Sequence, residues 1–267
     1  MRQIFAAMRP FSPARLLRGG ALALAVALPF AAPGAAQDAQ RPGSKPLIVV
    51  ELFTSQGCSS CPPADAMMSE LATRDGVLPL SLHVDYWDYI GWRDHFAKPE
   101  FTKRQKAYAH AAGKRTIYTP QLIVQGADHL VGAKPMRLAD LIMRHHDQTA
   151  APVALSAAQS GKTLRITAVP MGPLPPNMRL QIVRFDPHER VSITRGENAG
   201  REVDYTNIVT EWRPLADWSG QEPLAVSLDL EGPESAAVLL QTISPAGPGP
   251  ILAAVRTDAP MGQIASQ

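Results

Sequence analysis

The chain has 267 residues, 45% of them hydrophobic, and 26 Lys and Arg against 24 Asp and Glu give a formal charge of +2. That length allows one large domain or two ordinary ones. A nearly balanced charge, with no basic stripe carrying interleaved aromatics, argues against nucleic acid as a partner.

Arg2, Arg9, Arg15 and Arg18 make a basic start, Ala21 to Phe30 is a short apolar run, and Pro33-Gly34-Ala35-Ala36 supplies small residues. This pattern predicts a secretory signal over residues 1–36, cut after Ala36, with residues 37–46 as a linker. The apolar run is shorter than the roughly 20 residues a membrane helix needs, and no later run approaches that length. The expectation is an exported protein, periplasmic or secreted, without a membrane span. No adjacent Arg pair stands at the start, which favours the general secretory route.

Leu47 to Phe53 is apolar and β-branched and predicts a buried strand, and Thr54 to Gly57 is a polar break. The chain's two cysteines follow as Cys58-Ser-Ser-Cys61, then Pro62-Pro63, Asp65, and Met67, Met68 and Leu71 at helical spacing. A cysteine at a helix N-terminus faces unpaired N–H groups and the positive end of the dipole, which favour a thiolate. Such sites lower the thiol pKa from about 8.5 to roughly 3.5–7.5. Cys58, at the loop end, is expected to be the attacking sulfur, and Cys61, one turn in, the resolving one. The spacing also suits half a zinc site, but no second Cys pair or His-x(3 to 5)-His partner completes four ligands. An inert structural disulfide is the other reading, although so short a loop constrains the unfolded chain weakly. In an oxidising compartment the pair would rest as a disulfide.

After a turn at Asp75-Gly76, Val77 to Trp87 reads as a second strand, parallel to the first, making a right-handed βαβ unit. Ligands of such units gather at the carboxyl ends of the strands, which places Asp85, Tyr86, Trp87 and Asp88 near Cys58, with Gln56 in the loop before it. His83 and Asp85 share a strand face, so a metal role competes with a satisfied core histidine. Lys98-Pro99 opens a helix running to Gly113. Its Arg104 and Lys106 are read either as a solvated basic face or as holding a partner or a thiolate. Thr116 to Gln125 reads as a strand with Pro120 at its beginning, Gly126 to Asp128 as a turn, His129 to Ala133 as the returning strand, and Pro135 to about Gln148 as a helix. The order is β-α-β-α-β-β-α.

A Cys-x-x-Cys at the first strand-to-helix turn, with Thr119-Pro120 heading a third strand, resembles thioredoxin. The resemblance implies that the Thr119–Pro120 bond is cis, lies against the Cys pair, and leaves the backbone of Thr119 free to dock an incoming peptide. The chain is more closely similar to a family of exported bacterial proteins with a thioredoxin-like domain and no described function. The residues that carry this are Glu51 to Asp65, His83 to Asp88, Arg104, Gln105, Tyr108, Tyr118 to Gln121, Arg195 to Asn198 and Gly247 to Ile251. Gly57 stands where thioredoxin has tryptophan, and the central pair is Ser59-Ser60.

After residue 151 the texture changes to short apolar strands at Val153–Leu155, Leu164–Val169, Leu180–Phe185, Ala225–Leu230, Ala236–Thr242 and Ile251–Arg256, with Arg195 to Glu202 as a glycine-broken polar loop. The expected architecture is an α/β thioredoxin-like domain over residues 47–150, followed by a mostly-β, sandwich-like domain over 151–267. The expected function is thiol–disulfide exchange on protein thiols or disulfides by Cys58 and Cys61, without a cofactor or bound metal. The competing reading is a non-catalytic binding protein, in which the pair staples the site for a protein partner or takes copper with His83, His95 or Met67.

Overall fold

The structure, a computed structural model, describes residues 47–148 and 152–257. The signal and linker expected over residues 1–46 lie outside the described residues. The elements in chain order are β1 (Ile48–Thr54), α1 (Pro62–Ala72), β2 (Val77–His83), α2 (Pro99–Ala111), β3 (Gln121–Val124), β4 (Asp128–Val131) and α3 (Pro135–Asp147). Seven strands follow: β5 (Val153–Ser160), β6 (Thr163–Pro170), β7 (Met178–Ile193), β8 (Arg201–Trp218), β9 (Leu224–Asp229), β10 (Ser235–Ser244) and β11 (Gly247–Thr257).

β1 is buried along its whole length, and its period of two divides its side chains between two cores. Ile48, Val50 and Leu52 pack with Met68 and Leu71 of α1 and Leu138 and Leu141 of α3. Val49 and Phe53 face the other way, onto Phe101 and Tyr108 of α2. β2 runs parallel to β1 through α1, and β3 runs antiparallel to it.

The expected fold, an α/β thioredoxin-like part followed by a sandwich-like β part, is overturned by the sheet itself, and the described residues are mostly β. Eight strands form one mixed sheet in the order β11-β10-β7-β8-β2-β1-β3-β4, so four strands from the second half continue the sheet that carries β1. The core on the α2 face is likewise shared, because Val183, Val209, Leu239 and Ala254 belong to the same cluster as Val49 and Phe53. The join at β2 is economical: only Ser81 and Ile208 are in register. Side chains complete it, with Ser81 Oγ donating to Thr206 O at 2.8 Å and Asn207 Nδ2 donating to Pro79 O at 2.8 Å. A second seam runs through Gln125, whose backbone and side chain bond both Val49 of β1 and Ile251 of β11. The remaining three strands make a small sheet, β5-β6-β9, whose Leu155, Leu164 and Ile166 pack on Leu180, Ile182, Val238 and Leu240 of the large one.

Two further expectations shift. β2 stops at His83, so Asp85, Tyr86 and Trp87 lie beyond the strand. The polar stretch from Arg195 is only a hairpin tip, and from Arg201 the chain runs as an 18-residue strand against a 16-residue β7. Opposite charges in direct register hold this hairpin, Arg190 against Asp204 and Arg179 against Asp217.

Gly126 tests the seam. Its φ is +66°, and a Cβ there would stand 2.5 Å from Gly249 O and 2.9 Å from Gln241 Nε2. Gly126→Ala is expected to cost about 3 kcal/mol by chemical unfolding, because the left-handed backbone is disfavoured and the neighbouring strand must give way. Gly76→Ala, at φ +75° with open space around it, should cost only about 1 kcal/mol. Equal losses would mean that the seam yields freely.

Candidate functional site

The site is assembled where β1 ends. Thr54 closes the strand, and Ser55 to Gly57 turn the chain so that Cys58 N–H donates to Ser55 O at 3.1 Å. Cys61 N–H then donates to Cys58 O at 3.2 Å, and Cys61 becomes the N-cap of α1, with Pro62 in its first turn. Cys61 O accepts from the N–H groups of Ala64 and Asp65. Proline fits there because its missing N–H is one that a helix start leaves unpaired. Cys58 and Cys61 form a disulfide with a Cα–Cα distance of 5.4 Å. The two residues are 2% and 0% exposed, whereas Ser59 and Ser60 between them are exposed.

Beneath the pair lies a chain of buried polar groups from four elements. Thr54 Oγ1 donates to Asp65 Oδ1 at 2.7 Å. His83 Nδ1 lies 2.7 Å from Asp94 Oδ2, and since a carboxylate only accepts, that nitrogen carries a proton. Asp94 Oδ2 also accepts from the Gln56 N–H at 2.8 Å, and its Oδ1 from the Phe96 N–H at 2.9 Å. Burial raises Asp94, but attraction to His83 and these hydrogen bonds outweigh it and hold the carboxyl below its usual range. Asp65 accepts only from Thr54, and burial pushes it up to about 7 against the pull of His83. Burial, with Asp65 and Asp94 adding to it, raises the Tyr205 phenol nearby.

Two further elements close over the loop. Trp92 Nε1 donates to Gln56 Oε1 at 2.7 Å. Asn198, at the tip of the β7–β8 hairpin and 1% exposed, donates from Nδ2 to both Gln56 O and Cys58 O at 2.9 Å. Among the described residues, six buried side-chain polar atoms lack a hydrogen-bond partner. Four of them, Gln56 Nε2, Asp65 Oδ2, His83 Nε2 and Asn198 Oδ1, belong to this small region. Unsatisfied buried groups are rare in native interiors, so their gathering at one place marks it out.

Of the residues singled out from sequence, Trp87 bridges the two halves of the expected site. Its Nε1 donates to Thr119 Oγ1 at 2.7 Å, and its Cβ lies 3.2 Å from where a Cβ on Gly57 would stand. The Thr119–Pro120 bond is cis. Tyr86 and Asp85 instead bind α2, Tyr86 OH donating to Gln105 Oε1 at 3.1 Å and Asp85 Oδ1 accepting from Thr102 Oγ1 at 2.5 Å. Arg104 is engaged by Glu51 and stacks on Trp212. His83 is buried against Asp94, and among the described residues no group of three or more His, Cys, Asp or Glu is arranged to hold a metal ion. Asp65, Asp94, Trp92 and Asn198 were not singled out as site residues. Their signal is weak in sequence because only the closed loop and the hairpin bring them to Cys58.

Asp65 makes stability pH-dependent with a defined sign. Its folded pKa of about 7 lies above the ordinary value of 3.8, so the stability its neutral form supplies is complete below about pH 4 and is lost as pH rises through about 7. The thermal midpoint of the wild type should therefore fall across this window, by the equivalent of a few kcal/mol, and Asp65→Asn should flatten the fall. Parallel slopes in the two proteins would show that Asp65 ionises freely.

A family model described as protein of unknown function (DUF1223) matches residues 49–241. No curated protein matches the chain. The crystal structure of protein AGR_C_4864 from Agrobacterium tumefaciens is 32% identical, with a TM-score of 0.70, and the match covers 84% of this chain and 99% of that one. HBP35 of Porphyromonas gingivalis is similar at 15% identity and a TM-score of 0.62, over 85% of this chain and 80% of its own, a likeness of fold alone. The match over residues 49–241 and the Agrobacterium relative agree, and the chain belongs to the family described as protein of unknown function, DUF1223.

Proposed function

We propose that the protein is an exported thiol–disulfide oxidoreductase acting on protein thiols or disulfides, with Cys58 as the exchanging sulfur and Cys61 as the resolving one. The observation that carries this reading is a disulfide seated on a helix N-terminus, Cys61 being the N-cap of α1 and Cys58 the residue three before it. The positive end of the α1 dipole favours the thiolates that exchange requires. We read the local arrangement, though not the sheet around it, as a redox site of the thioredoxin superfamily kind. Trp87, between Gly57 and Thr119, links the Cys loop to the Thr119–Pro120 segment, which would receive the substrate backbone. The periplasm or cell exterior is the compartment in which such a disulfide persists.

The exchange balances as follows. A substrate thiolate attacks Cys58 Sγ, the Cys58–Cys61 bond breaks, and its electron pair leaves on Cys61 Sγ. Asp65, whose N–H bonds Cys61 O and whose pKa burial raises to about 7, would be the proton source for the emerging Cys61 thiolate. A second substrate thiolate then attacks the substrate sulfur of the mixed disulfide, the substrate leaves as a disulfide, and Cys58 departs as a thiolate. Two electrons pass from substrate to protein, and the reverse sequence reduces a substrate disulfide.

The burial of both sulfurs favours a second reading, in which the pair is a structural staple. Two measurements separate them. Titration of the folded protein against glutathione buffers should show the pair equilibrating. Cys61→Ala should accumulate mixed disulfides on Cys58 with a disulfide-bonded protein substrate, the second substrate sulfur leaving as a thiolate, whereas Cys58→Ala should accumulate at least tenfold less. A pair that never equilibrates with any thiol while the protein stays folded would establish the staple.

A further inference from the structure

The Cys58 loop is covered by an element from the far half of the chain. The stem of the β7–β8 hairpin is held by register pairs such as Arg190 with Asp204 and Ser192 with Glu202. Its tip, Arg195 to Gly200, bends back over the Cys loop and makes two kinds of contact there. Asn198 Nδ2 donates to Gln56 O and Cys58 O, and Gly196 lies so close to Trp92 that a Cβ would stand 3.0 Å from the Trp92 Cβ. Trp92 in turn holds Gln56 Oε1. The tip is bounded by Gly196 at φ +75° and Gly200 at φ +82°, and around Gly200 there is open space. Three residues, Glu197 to Ala199, thus sit between two glycines on a rigid stem.

In this closed arrangement neither cysteine is exposed by more than 2%, which leaves a protein thiol little access to Cys58. Closure also leaves Asn198 Oδ1 and Gln56 Nε2 buried without partners. Water would satisfy both on opening, which offsets part of the loss of the two Asn198 hydrogen bonds. Building on the reading of Cys58 and Cys61 as an exchanging pair, we infer that the β7–β8 tip is a gate over Cys58, and that Asn198 is the positioning residue that holds it shut. Access to the sulfur then depends on a local opening of the tip and not on unfolding of the sheet.

The test uses dithiothreitol on the full folded protein. One thiolate of the reagent attacks Cys58 Sγ and expels Cys61 as a thiolate. Its second thiolate attacks the reagent sulfur of the mixed disulfide, giving the cyclic disulfide and releasing Cys58. Rates are read by alkylation and mass shift. Asn198→Ala removes both hydrogen bonds and Gly196→Ala forces the tip off Trp92, and each is expected to accelerate reduction at least tenfold. Leu155→Ala, in the small sheet, lowers stability without touching the tip and is expected to leave the rate within twofold of wild type. Asn198→Ala reducing at the wild-type rate would overturn the gate while leaving the redox reading intact, and so would a Leu155→Ala rate as fast as that of Asn198→Ala. A disulfide that resists the reagent in every folded variant would instead remove the redox reading on which the gate rests.

Discussion

A single buried carboxylate organises the centre of this protein. Glu51 lies in the middle of β1, on the same face as Val49 and Phe53, and is fully buried. An ion taken out of water must find a close partner and further hydrogen bonds, since otherwise desolvation costs several kcal/mol. Arg104 supplies the partner, its Nε and Nη2 reaching the two Glu51 oxygens at 2.6 and 2.9 Å, and Tyr108 OH donates to Oε1 at 2.6 Å. The Arg104 guanidinium, lying 3.6 Å from the centroid of the Trp212 ring, is stacked by β8, and Gln241 of β10 bonds both Arg104 and Tyr108. One charge thereby fixes α2 against β1 and draws β8 and β10 to the same place. The network around Glu51 spans both halves of the chain, because its partners Arg104 and Tyr108 are themselves held by Trp212 and Gln241.

The Cys loop inherits its position from that frame. With both faces of β1 covered, the chain leaves the strand at Thr54 in one direction, and Thr54 bonds Asp65 on α1 while its carbonyl accepts the Val84 N–H beyond β2. The contrast between the two polar clusters is informative. Around Glu51 every carboxylate oxygen and every donor named above is matched. Around Cys58 four buried atoms are unmatched and burial raises the pKa of one carboxyl, Asp65, to about 7. The first cluster is built for rigidity, and the second keeps groups in states that a solvent-filled or rearranged site would change.

The sequence disclosed the parts whose information is local. Leu47 to Phe53 reads as a strand because its residues, Glu51 apart, are apolar and largely β-branched, and Pro62 with Asp65 marks the start of α1, so the placement of Cys61 at a helix N-terminus was legible. The extent of the sheet was not. Arg201, Glu202, Asp204, Glu211, Arg213 and Asp217 make β8 look like a loop until Arg190 and Arg179 are set opposite two of them, and nothing in a period of two announces a partner on another strand. The pairing of β2 with β8 joins residues 125 to 128 positions apart through one register pair and two side chains. Asn198 was visible as part of a polar tip, but its carbonyl partners are 140 and 142 residues away. Reading Val77 to Trp87 as one strand placed Asp85 beside His83, whereas the strand ends at His83 and the true partner, Asp94, lies in the loop that follows.

Magnitudes help to weigh the meaning of the buried disulfide. A bond closing so small a loop removes little entropy from the unfolded chain, about 2 kcal/mol at most by the loop-entropy relation. The fold already fixes both cysteines without it, through the Ser55 turn, the helix cap on Cys61 and the two bonds from Asn198. Against this modest gain stand four buried polar atoms without a protein partner and a carboxyl whose pKa burial raises to about 7. A staple requires none of these features and would be more stable with apolar residues in their place. Proteins retain such costs where a group must change its charge or its partner, and the exchange proposed for Cys58 and Cys61 would demand both.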